Sequence, residues 1–177
     1  MGRGKALWML IVIPAAFCLA FGIAGGAPVS LAQKSIRYEF YFPWPTHSAL
    51  GVDTRQVDNR GTLIERVRRV MDILTAGPES DKLAPAFPPD RHLRQLFVDR
   101  SGTAFVDLER PPDLAGGVGV MEERLFIWSM VNTLCLNFPD IHTVKILVGG
   151  DEAPTLFGHI DITHPLLPDR GLIFESP

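Results

Sequence analysis

Two cysteines, Cys18 and Cys135, are all that the 177-residue chain contains. The count alone excludes a zinc site of the Cys-x-x-Cys type. Cys18 falls in an apolar N-terminal run, which leaves Cys135 as the single thiol of the remaining domain and excludes an internal disulfide there. Cys135 sits among apolar residues at helical spacing, a setting for a small buried side chain rather than a reactive thiolate. Basic tracts are missing as well. Without Arg3 and Lys5 of the N-terminal segment, fifteen basic residues face twenty acidic ones, a net of −5. Such a balance argues against sequence-independent nucleic-acid binding. Ser35, Ser101 and Ser129 lack a Gly-x-Ser-x-Gly elbow. The Gly116-Gly117-Val118-Gly119 loop lacks both the Lys-Ser/Thr ending of a P-loop and the spacing of a dinucleotide site.

Charge is also absent from residues 6–33, and residues 6–24 are almost continuously apolar. Arg3 and Lys5 ahead of this run, and small residues at Ser30 and Ala32 before Gln33, form the pattern of a cleaved secretory signal. An apolar run of nineteen residues is also long enough to cross a bilayer as an anchor. Pro14 and Gly25-Gly26-Ala27-Pro28 weaken a long spanning helix, which favours cleavage. Either way the basic flank places everything beyond Gln33 outside the cytoplasm. Phe17 precedes Cys18 where lipid modification requires a small residue, so a lipoprotein is not expected. The expected organisation is a signal peptide or anchor over 1–32, one domain over 33–164 and a tail over 165–177. Membrane contact is expected only through the first segment.

With 46% hydrophobic residues, the rest of the chain can bury one real core. Ile36, Tyr38, Phe40 and Phe42 alternate with polar neighbours as in a half-buried strand, and residues 50–57 predict a second, edge-like one. Thr62 and Glu65 make a capping box before a helical stripe of Leu63, Ile64, Val67, Val70, Met71 and Leu74, ended by Gly77-Pro78. Arg66, Arg68 and Arg69 lie off that stripe and read as a solvated face rather than a phosphate patch. Residues 92–98 and 103–108 flank a short turn and predict a hairpin. The spacing predicts a second helix over 120–137, with Met121, Leu125, Trp128, Val131, Leu134 and Phe138 as its buried stripe and Pro139 as its stop. Val144, Ile146 and Val148 predict a strand, with residues 153–162 returning beside it after a turn. The tail is expected on the surface, with Leu172, Ile173 and Phe174 as packing contacts. The fold class that follows is α+β, with two amphipathic helices on one face of a mostly antiparallel four- to five-stranded sheet; the first helix, linking distant strands, leaves room for some parallel pairing.

Several short pieces recur in a recognisable order: Tyr41-Phe42-Pro43, Glu65-Arg66-Val67, Ala76-Gly77-Pro78, Phe97-Val98-Asp99, Gly102-Thr103-Ala104-Phe105-Val106-Asp107, Asn137-Phe138-Pro139 and Gly158-His159-Ile160-Asp161. In order and spacing the chain resembles the GerMN domain, the module named for sporulation and spore-germination proteins of the GerM type. The resemblance implies a small α/β module similar to the ring-building domains of envelope machines. It also implies an exported or membrane-attached setting, an assembly role and no catalytic residue to carry over. A sporulation role is not implied for a single copy.

Four positions are candidates for binding. His159 and Asp161, with His164 able to fold back, are the nearest approach to a metal constellation and would suit a metal-dependent hydrolase. The competing expectation is a His159–Asp161 hydrogen bond pinning the terminal segment, with no metal and no cofactor. Asn132, beside the apolar stripe, is expected to bond backbone groups of a neighbouring segment. Trp44, between two prolines, is expected either to meet a partner or to fold onto the sheet edge. Asp99 and Asp107 are expected as turn formers. The function expected is a non-catalytic extracytoplasmic assembly module. Its partner would be an envelope protein or cell-wall component, with self-association as a further expectation and no role for nucleic acid.

Overall fold

The computed structural model describes residues 35–88, 92–110 and 117–174. The segment 1–32, and with it the choice between signal peptide and anchor, lies outside the described residues. Among those described, no helix is long and apolar enough to cross a membrane.

The alternation at the start of the domain builds β1 (Ser35–Trp44), which buries Tyr38, Phe40 and Phe42. It pairs with β2 (Ala49–Asp58) in one antiparallel register from Ser35↔Asp58 to Trp44↔Ala49, without a shift. Helix α1 (Leu63–Ala76) starts at the Thr62–Glu65 capping box and stops at Gly77, whose φ of 96° suits a residue without a Cβ. Its buried face is Val67, Val70, Met71 and Leu74. Two of its arginines are more than a solvated face: Arg69 donates to the carbonyls of Asp58 and Arg60, and Arg66 to Asn59 Oδ1 at 3.1 Å. Together they tie the β2–α1 turn to the helix.

Strands β3 (Leu93–Val98) and β4 (Thr103–Leu108) form the expected hairpin, with a register shift at Leu93/Gln95. Asp99 shapes its turn by accepting from Ser101 N and Thr103 N, both at 2.9 Å. Asp107 does not form a turn; it lies within β4, buried, and joins Arg94 Nη1 (2.9 Å) to Gly150 N (2.8 Å). Helix α2 (Val120–Asn137) then crosses over to β5 (Thr143–Val148), which pairs parallel to β4.

The fold is therefore α+β with two sheets, β1-β2 and the mixed β3-β4-β5. A single mostly antiparallel sheet is not formed. The parallel pair comes from α2, because two parallel strands need a crossover of a dozen residues or more, and α2 supplies it. The expected strand over 153–162 is also absent: β5 has only the isolated bridges Val148↔Asp151 and Val144↔Leu166 on that side. Pro154 and Gly158 (φ 108°) interrupt an extended path, and the backbone N–H groups there are drawn to a side chain described below.

Helix α2 also departs from expectation. Its burial is not one stripe: Phe126, Ile127, Met130, Val131 and Leu134 join the main core, while Leu125 packs with Tyr41, Leu50 and Leu172 in a second cluster. Met121, expected in the stripe, is 40% exposed. A helix that contacts both sheets and α1 has no single buried side. The line of α2 that meets the outer edge of β1 is polar. Asn137 Oδ1 accepts from Glu39 N (2.9 Å) and its Nδ2 donates to Glu39 O (2.6 Å). Thr133 Oγ1 accepts from Tyr41 N (3.2 Å), and Ser129 Oγ donates to Tyr41 O. These three residues, four apart on one line of the helix, serve the edge of β1 as a neighbouring strand would.

Thr133→Val keeps the shape of the side chain and leaves the Tyr41 N–H buried without a partner. It should lower unfolding free energy by about 1–3 kcal/mol, with an unchanged urea m-value. A loss below about 0.3 kcal/mol would mean that the edge does not depend on the helix.

Candidate functional site

The irregular segment after β5 carries His159, Asp161 and His164, and buried polar side chains fix it in place. Glu123, fully buried on α2, accepts from Leu156 N (3.1 Å) and Phe157 N (2.8 Å) on Oε1 and from His159 N (2.8 Å) on Oε2. Lys145 on β5 is 4% exposed; its Nζ donates to the carbonyl of Thr163 and pairs with Glu152 at 3.4 Å. Asn132, also fully buried, grips the backbone of Asp169 from both sides: Nδ2 donates to its carbonyl (2.9 Å) and Oδ1 accepts from its N–H (2.8 Å). Sequence reasoning missed Glu123 and Lys145. The signals were present. Glu123 lies on the helical line of Ile127 and Met130, and Lys145 interrupts an otherwise apolar strand.

This arrangement does not assemble the supposed metal constellation. His159 Nε2 lies 2.9 Å from the carbonyl of Val118. Asp161 accepts from Thr163 N (2.8 Å) and Thr163 Oγ1 (2.6 Å), which hold its carboxyl below the usual range, and His164 Nδ1 meets the same hydroxyl at 2.8 Å. No hydrogen bond joins His159 to Asp161, so the expected pin between them is replaced by the Glu123 and Lys145 anchors. Among the described residues, no group of three His, Cys, Asp or Glu side chains is placed to hold a metal ion. Ser129, scanned as a nucleophile, is buried and donates to Tyr41.

Trp44 stands at a more open place. It is half-buried at the end of β1, edge-on to His47 (centroids 4.9 Å) and to Phe174 (5.0 Å). Gly51 permits this packing, since a Cβ there would lie 2.4 Å from Leu83 Cδ2 and 3.0 Å from the indole. Beside Trp44 a groove of about 620 Å³ opens between residues 43–48, residues 84–88 and the first turns of α2. Pro43, Pro45, Pro85, Met121 and Phe157 contribute to its walls, and Phe126 lies within reach of both Phe87 (4.6 Å) and Phe157 (5.8 Å). The carboxylate on its rim, Glu122, caps the helix by accepting from Gly119 N at 3.0 Å. The groove is suited to apolar contact, and its described lining residues include no nucleophile paired with a base.

Two helices, a two-stranded and a mixed three-stranded sheet, and an apolar groove define a small α+β module. Solved structures share the fold. A candidate lipoprotein from Clostridium perfringens is 20% identical, with 75% of this chain and 87% of that one covered and a TM-score of 0.53. The first GerMN domain of the sporulation protein GerM from Bacillus subtilis is 16% identical over 77% of this chain and 98% of that one, at 0.54. The tandem GerMN domains of the same protein are 18% identical and give 0.56, with 75% of this chain but 46% of the tandem chain covered. No curated protein matches the sequence. Residues 39–154 match the family named Germane, described as sporulation and spore germination, and the chain belongs to it.

Two measurements check this site. Asn132→Ala removes both bonds to Asp169 and should cost roughly 2–5 kcal/mol. Amide exchange should accelerate at residues 169–173 while β1 stays protected; uniform acceleration would contradict a local clamp. Burial pushes the Cys135 thiol up to about 12. An unfolded cysteine ionises near about 8.5. Stability from the protonated thiol is thus complete below that pH and declines as pH rises from there toward the folded value. At pH 8 an aromatic disulfide reagent should leave Cys135 unmodified in the folded chain and label it in urea, as read by peptide mapping. Labelling of the folded chain as fast as in urea would refute the partial burial of Cys135.

Proposed function

We propose that this chain is a non-catalytic, extracytoplasmic interaction module that contributes to assembly of a cell-envelope complex, and that the groove beside Trp44 receives an apolar segment of an envelope protein. The observation that carries the reading is the character of the groove: aromatic, proline and methionine walls, with its rim carboxylate already engaged in a helix cap. A cell-wall saccharide would need free polar partners, which favours a protein as occupant. Export is supported by the basic flank, apolar run and small residues of the first 32 positions. Likeness to a candidate lipoprotein and to a sporulation protein adds support for an envelope setting. A sporulation role itself is not proposed.

The test places a photoreactive benzoyl-phenylalanine at Trp44 in living cells and identifies the adducts by mass spectrometry. Met121→Glu puts a charge on the exposed groove wall and should change stability by no more than about 0.5 kcal/mol. A discrete envelope protein should be captured, and Met121→Glu should reduce that capture at least tenfold. An absent adduct, or one indifferent to Met121→Glu, would sink the proposal.

A further inference from the structure

The two edges of the β1–β2 sheet are treated differently. The edge of β1 is served by Ser129, Thr133 and Asn137 of α2. Since Glu39 and Tyr41 turn their backbone groups to the helix, their cross-strand partners Thr54 and Val52 turn theirs away from β1, and Gln56, opposite Arg37, follows by the period of two. At the start of β2 the chain covers this outer edge itself: Phe174 N donates to Leu50 O at 2.8 Å, and Leu50 and Ile173 form a parallel bridge. Beyond Leu50, no described residue pairs with the outward backbone groups of Val52, Thr54 or Gln56. Nor is the edge defended. Strand β2 has no proline, lysine or bulge, Val52, Thr54 and Gln56 carry no charge, and Val52 is 41% exposed.

We propose that this edge pairs with the same edge of a second copy, about a two-fold axis through Thr54, so that two hairpins join into one four-stranded antiparallel sheet. The sequence Val52-Asp53-Thr54-Arg55-Gln56 is complementary to itself read backwards. With the axis at Thr54, Asp53 of each copy lies opposite Arg55 of the other, and the two threonines face each other. Moving the axis one residue either way sets Asp53 against Asp53 or Arg55 against Arg55, which charge repulsion disfavours. Within one copy Arg55 Nη2 already lies 2.7 Å from Asp53 Oδ2, and its guanidinium rests over the Phe40 and Phe42 rings. Arg55 Nη2 also donates to Gly77 O (2.7 Å) and Asp53 Oδ2 accepts from Glu79 N (2.8 Å), so both charges are fixed within the chain, and the second copy sets opposite charge beside each rather than supplying its first partner. Pairing ends at Val52 and Gln56, because the next outward carbonyl, that of Leu50, is taken by Phe174. This surface is separate from the groove, and neither depends on the other.

Symmetry makes the test positional. Purified full-length chain carrying Thr54→Cys, Val52→Cys, Gln56→Cys or the Val52→Cys/Gln56→Cys pair is oxidised with copper phenanthroline and resolved without reductant. The unsubstituted chain gives the background from Cys18 and Cys135. Residues facing across the axis have Cα atoms about 5.5 Å apart, within the reach of a disulfide. Position 52 and its own copy lie roughly 14 Å apart, as do position 56 and its copy. Dimers are expected from Thr54→Cys and from the double substitution, and not from either single change at 52 or 56. Sedimentation of the unsubstituted chain should show a dimer that Thr54→Lys weakens at least tenfold. Absence of a dimer at position 54, equal crosslinking at all three positions, or a chain that sediments as a monomer at the crosslinking concentration would each overturn the proposal.

Discussion

The structure depends first on how one strand edge is satisfied. Strand β1 has a single strand neighbour; on its other side the backbone groups of Tyr41 are buried, and those of Glu39 lie at the surface end of the same edge. Helix α2 answers with Ser129, Thr133 and Asn137, side chains spaced so that one helical line faces one strand edge. Once this contact is made, α2 cannot rotate about its own axis. Its remaining surfaces are thereby assigned, Ile127 and Met130 to the main core, Leu125 to the smaller cluster with Leu50 and Leu172, and Asn132 to the tail. The helix links two sheets that share no strand pairing.

The same device recurs at a second scale. Residues 151–172 have almost no regular structure, yet Glu123, Lys145 and Asn132 bind their backbone from inside the fold. Each anchor is a buried polar group that would be costly alone and is stable because it meets backbone donors or acceptors that a strand would otherwise have engaged. An irregular segment held in this way keeps a fixed path without a ladder. That path brings Phe157 to the groove and Phe174 to Trp44.

Legibility followed locality. The capping box at Thr62 and Glu65, the stop at Gly77, the span of α2 and the hairpin around Asp99 are set by residues within a few positions of each other, and each was readable in the sequence. Pairings between distant segments were not. The parallel register of β4 and β5 depends on where α2 lands, and periodicity carries no record of it. The stripe expected on α2 was buried at Leu125, Val131, Leu134 and Phe138 but not at Met121, and burial also spread to Phe126, Ile127 and Met130, because a helix with two packing partners has no single period of burial. Residues 153–162 look like a strand by composition, but Glu123, thirty residues earlier, competes for their N–H groups. Of the candidate site, Trp44 lies at the groove, whereas Asn132 is an internal clamp and His159 and Asp161 bond separately. A His-x-Asp spacing reports proximity in sequence and nothing about which neighbours reach those side chains first.

The same commitment of polar groups underlies the proposal of a binding role. Catalysis needs polar groups left free to change partners, held close to a reacting atom. Here the polar side chains nearest to any suggestive cluster are committed to backbone: Ser129 to Tyr41, Glu123 to three N–H groups, Asp161 to Thr163. What remains accessible is of another kind, an apolar groove and an outward strand edge, each of which gains by excluding water or completing a ladder. The proposed association role rests on this division: these polar side chains hold irregular backbone inside the fold, while the groove and the strand edge face outward.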